Sequence, residues 1–161
     1  MKSILTDFEN GAETVREPFW KNKSLNNMTH EEWESICARC GKCCLYKVND
    51  PNTQAIRYTD IACHLFDVKT CTCKSYDSRT SRIALCRPIT PENVKKFSWL
   101  PKSCAYRLLS EGKDLPEWHH LVSGDPGLIH KLGRSVSSKK VTPKKNVHPL
   151  TLLDHIIKWV Y

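Results

Sequence analysis

The chain has 161 residues and a mass of 18.6 kDa, enough for one sizeable core and not for two. Only 40 % of its residues are hydrophobic, nine are prolines and the mean hydropathy is −0.48, so a loop-rich fold that leans on more than apolar burial is expected. A net charge of +8 at pH 7 calls for an anionic partner to be weighed, while no segment approaches the roughly 20 apolar residues of a membrane-spanning helix.

Residues 1–28 mix charges with asparagines and lack a sustained period, which predicts an arm docked by Phe19 and Trp20. Thr29 and Glu32 then form a capping box, and a short helix follows in which Trp33 and Ile36 share the core face. That helix leads into four cysteines within eight residues, Cys37, Cys40, Cys43 and Cys44. Thiolates are soft ligands, and Cys-x2-Cys is the spacing at which two sulfurs share one metal at about 2.3 Å each. Gly41 supplies the left-handed turn that bends a chain around an ion.

Asp50-Pro51-Asn52 marks a turn, and Ile61 to Leu65 is a short apolar run carrying Cys63. Cys71 and Cys73 sit on alternate residues, so in an extended strand both sulfurs face one side. Arg79, Arg82 and Arg87 surround Cys86, and positive charge favours the thiolate. Thr90-Pro91 starts a second helix, and Ser103 caps a third that carries Cys104 in its first turn and ends near Gly112. Residues 123–127 are a turn.

The basic stretch 131–148 reads as a solvated, flexible segment. Phosphate contacts with nucleic acid there would be salt-sensitive and sequence-blind, and no aromatic residue is interleaved to stack on bases. Leu150, Leu153, Ile156, Ile157 and Val160 recur at helical spacing, which predicts a C-terminal amphipathic helix over 149–161. The cysteine-rich metal-binding domain is thus expected over 29–130. Its fold class is α+β or irregular: a small, metal-stapled domain with several short helices and few strands.

Nine cysteines is an odd number, and the residues after Met1 lack the apolar stretch of a secretory leader. A reducing cytoplasm is the expectation, with the thiols serving metal rather than disulfides. All nine, Cys37, Cys40, Cys43, Cys44, Cys63, Cys71, Cys73, Cys86 and Cys104, are candidate ligands, set against the plainer role of buried small hydrophobe for the isolated ones. Two tetrahedral sites would leave one thiol over. Adjacent Cys43 and Cys44 diverge along an extended chain, so they are expected to serve two neighbouring ions or to bridge them. His64 is the strongest histidine candidate, while His119 and His120 read as surface residues.

The Cys-x2-Cys-x2-Cys-Cys pattern resembles the signature of the CxxCxxCC family of zinc- or iron-chelating proteins, in particular its YcgN-like bacterial branch. The resemblance runs from about Phe19 to His119 through Trp33-Glu34-Ser35, Lys69-Thr70-Cys71-Thr72-Cys73 and Phe97-Ser98-Trp99-Leu100-Pro101. It implies a bacterial cytosolic protein whose cysteines hold metal, and it brings no reaction with it. The family's Arg-Pro before a later cysteine is missing from Tyr76 to Thr80.

Zinc and iron suit this donor set equally. Cys37, Cys40 and Cys43 match the first three positions of a ferredoxin run, which keeps an iron-sulfur cluster open, although Cys44 follows at once. No P-loop, dinucleotide fingerprint or nucleophile elbow appears. A metal-binding protein in metal handling, or a metal-stabilised scaffold, is the first expectation. An iron redox protein or enzyme is the second, and a zinc-ribbon-like nucleic-acid binder the third.

Overall fold

In the computed structural model the described residues are 17–160. The chain opens with α1 (Phe19–Asn22), and α2 (His30–Ser35) follows behind the expected capping box. Glu32 N–H donates to Thr29 Oγ1 at 3.2 Å, and Thr29 N–H donates to Glu32 Oε2 at 2.8 Å. A 3-10 turn over Lys42–Cys44 leads into β1 (Leu45–Asn49), and β2 (Ile56–Ala62) returns antiparallel to it. Then come the two-residue strands β3 (Phe66–Asp67) and β4 (Thr72–Cys73), which pair with each other, and the single turn α3 (Arg79–Arg82). The helices α4 (Ala105–Ser110), α5 (His120–Ser123) and α6 (Leu128–Lys131) follow, and β5 (Thr142–Pro143) adds in parallel to β2. Among the described residues no helix is long and apolar enough to cross a membrane.

Two small cores result. The helical one gathers Trp33, Ile36, Val94, Leu100, Ala105, Tyr106 and Leu115, with Phe19, Trp20, Cys37 and Cys104 packed at its edge. The Trp33 and Tyr106 rings lie 4.6 Å apart, and Trp33 Nε1–H donates to Ile89 O at 2.8 Å. The sheet core gathers Leu45, Tyr58, Ala62, Phe66, Cys71 and Val136, with Cys44 and Cys63 at its edge. Four cysteines therefore stand at the edges of the two cores, Cys37 and Cys104 at the helical one and Cys44 and Cys63 at the sheet one.

Several expectations change. Thr90-Pro91 opens a turn, and the short helix there is the 3-10 segment Val94–Lys96. The 131–148 stretch is not wholly solvated: Ser135 and Val136 are fully buried, because Val136 enters the sheet core and its N–H donates to Cys40 O at 2.9 Å. The C-terminal stretch forms a 3-10 helix over Pro149–His155 rather than an amphipathic α-helix. Leu150 is 88 % exposed, and the chain then extends so that Ile156 bridges Thr59 and Ile157 N–H donates to Tyr58 O at 2.9 Å.

His119, expected at the surface, is fully buried. Its Nδ1 accepts from Leu121 N–H at 3.2 Å, so Nε2–H donates to Ile36 O at 2.9 Å. Burial lowers its pKa, with the Ile36 bond working the other way. A folded-state pKa below the unfolded value means that the unfolded chain takes the proton more readily. The stability contributed by neutral His119 is complete above the unfolded value of about 6.5 and is lost as pH falls from there through the lower folded pKa. His119→Leu strands the buried Ile36 carbonyl and should cost about 1–3 kcal/mol at pH 8. In urea melts at pH 8 and pH 5.5, the variant's deficit should shrink at the lower pH.

Candidate metal centre

The knuckle is built by local chemistry. α2 ends at Ser35, and Cys37 N–H caps it by donating to Glu34 O at 3.3 Å. Arg39 (φ 53°) and Gly41 (φ 76°) both take left-handed backbone between Cys37 and Cys43. Cys43 and Cys44 lie in a 3-10 turn rather than an extended segment. The divergence expected of an extended chain does not apply. Cys104 is the N-cap of α4, one position earlier than expected, and Cys104 N–H donates to Pro101 O at 2.9 Å.

Cys37, Cys40, Cys43 and Cys104 line one cavity of about 190 Å³. A single water needs about 10–15 Å³ on the same measure, so the space exceeds what one four-coordinate ion occupies. Cys44 and Cys63 pack against the sheet core, tied by Cys63 N–H to Cys44 O at 3.0 Å. Cys73 pairs with Phe66, whose N–H donates to Cys63 O at 3.0 Å. Burial raises the Cys86 thiol, and the positive charge of Arg79 opposes the shift. As the side chains stand, no three His, Cys, Asp or Glu residues among those described converge on a single point able to hold an ion. The donor chemistry nevertheless fits a thiolate centre: nine free thiols, four of them lining one cavity.

Cys71 stands apart. Its φ of 53° breaks the strand expected through Cys71 and Cys73, and the residue is buried in the sheet core with Sγ donating to Val68 O at 3.6 Å. Burial raises its thiol, and hydrogen bonds from Ser137 and Ser135 oppose the shift. His64 is exposed.

Burial, with the charge of Cys43 behind it, pushes the Cys37 thiol up to about 12, and the same two causes raise Cys40. Burial takes Cys104 up to about 11, although the Arg107 and Tyr106 amides oppose it. Cys43 goes the other way, down to about 6, because the Cys44 thiol donates to it and Lys47 adds positive charge. The same bond raises Cys44. Lys47 itself is fixed by donating to Cys43 O at 2.9 Å and Leu45 O at 2.7 Å. One thiolate is therefore ready at neutral pH, and the buried thiols keep their protons until a cation displaces them. Metal uptake must release protons and strengthen as pH rises.

Lys42 is buried beside these sulfurs, where burial lowers its pKa and the charge of Cys40 opposes the shift. Sequence reasoning missed this lysine. Its position between Gly41 and Cys43 was the available signal.

The UPF0260 protein of Granulibacter bethesdensis is 45 % identical to this chain over 142 residues, 88 % of this chain and 84 % of that protein. The chain belongs to the UPF0260 family. Family members from Ectopseudomonas mendocina and Parvibaculum lavamentivorans are 49 % and 51 % identical over 130 and 125 residues, each 78 % of this chain and 87 % and 82 % of theirs. A family model described as "CxxCxxCC: Putative zinc- or iron-chelating domain" matches residues 36–105. In this UPF0260 protein that segment holds all nine cysteines and ends at α4, short of α5, α6 and β5. No solved structure matches the chain.

Proposed function

We propose that this UPF0260 protein binds zinc or iron through two adjoining cysteine sets. Cys37, Cys40, Cys43 and Cys104 form the first; Cys44, Cys63, Cys73 and Cys86 form the second. Cys71 is the thiol left over, a core residue. The role is metal handling or a metal-stapled scaffold in a reducing cytoplasm, where free thiols persist. The observation that carries this reading is that sulfurs from the knuckle and from the start of α4 line one cavity. Metal bound there would join the helical and sheet cores, so its binding energy would add to folding stability.

An iron-sulfur redox centre is the second reading, favoured by the size of the cavity and by the ferredoxin-like spacing of its first three cysteines. Protein purified without oxygen and assayed for zinc, iron and acid-labile sulfide separates the two. Sulfide matching the iron supports the cluster, stoichiometric colourless zinc supports the scaffold, and metal-free folded protein defeats both.

A further inference from the structure

The cavity beside the first cysteine set has a second character. Lys42, Lys139 and Arg134 line it, and no aspartate or glutamate does. Among the described residues none of the three has an acidic partner within ion-pairing distance. Lys42 is buried with Nζ donating to Ser103 Oγ at 3.2 Å, Lys139 is half-buried and Arg134 is exposed, so the charges run from the interior to the mouth.

Two of the cations lean on aromatic rings, Arg134 Cζ at 5.5 Å from the Trp118 centroid and Lys139 Nζ at 5.8 Å from that of Trp159. Such contacts hold a cation in place without cancelling its charge. Four thiolates round a divalent ion leave a net charge of about −2, which three cations still exceed. Arg134, Lys139, Trp118 and Trp159 all lie outside the segment matched by the chelating domain.

We propose that this cavity binds a small organic anion, its dianionic head of phosphate-monoester type on Lys42, Lys139 and Arg134 and its apolar body against Trp118 and Trp159. The proposal rests on the metal reading only in that metal takes the sulfur end of the space. A planar guanidinium and two ammonium groups suit a head with several acceptor oxygens, and the indole walls suit a flat apolar body.

The test titrates phenylphosphate, benzoate and inorganic phosphate into anaerobically purified protein, followed by tryptophan fluorescence and calorimetry, with metal content measured on the same samples. Phenylphosphate should bind most tightly. The double variant Arg134→Gln, Lys139→Gln should lose at least about ten-fold in affinity with metal content unchanged. Equal binding by the variant, or no binding by wild type up to about 10 mM, overturns the proposal. Loss of metal in the double variant also overturns it, since the cations would then serve the thiolate centre. Binding by protein that holds no metal would instead remove the metal reading and leave the anion site standing.

Discussion

Gly41→Ala should destabilise the fold by about 2–5 kcal/mol and release metal with it, measured by urea unfolding and elemental analysis of the same preparation. Gly41 has φ 76°, where a side chain costs about 1–2 kcal/mol by itself. An added Cβ would also stand 2.4 Å from Phe66 Cζ and 2.6 Å from Val136 Cγ2. Both neighbours are buried in the sheet core, Phe66 at 6 % exposure and Val136 at 0 %, so neither has free space to retreat into. The backbone must shift instead. Gly41 O accepts from Cys44 N–H at 3.1 Å and the preceding Cys40 O from Val136 N–H at 2.9 Å, so that shift displaces cysteines on both sides. A variant as stable as wild type with full metal would show that the knuckle is not held by this contact.

Cys104→Ser and Cys71→Ser should behave in opposite ways. Cys104 lines the cavity with three knuckle cysteines, and its replacement should weaken metal binding by at least about 100-fold, more than loss of an outer-shell partner costs. Cys71 is equally a cysteine of the matched domain but lies in the sheet core against Ser135 and Ser137. Its replacement buries a hydroxyl and should cost about 1–3 kcal/mol of stability with metal content unchanged. Competition with a chromophoric chelator reads the first, and urea melts the second. Loss of metal from Cys71→Ser with retention in Cys104→Ser would reverse the assignment.

What was legible in the sequence is what short-range chemistry dictates. Thr29 and Glu32 satisfy each other's amides whatever lies around them, and Gly41 answers a turn that few other residues tolerate. Long-range placement was not legible. Cys71 leaves the strand because the sheet core claims its side chain, which no spacing rule registers. Val136, set among lysines and serines, reads as part of a solvated run until its docking on Cys40 is seen. The apolar C-terminal residues keep helical spacing, but Pro149 opens a 3-10 segment and Ile156 pairs with Thr59, so the period finds no groove. Within the candidate site, the knuckle cysteines were plain; the approach of Cys104 and the cations Lys42, Arg134 and Lys139 required the folded chain.

The cavity lined by Cys37, Cys40, Cys43 and Cys104 is the feature on which the functional reading depends. X-ray absorption at the zinc or iron edge of anaerobically purified protein tests it most directly. A first shell of sulfur alone, at about 2.3 Å, is the expected result. A shell dominated by nitrogen or oxygen would place the metal on other residues and contradict it.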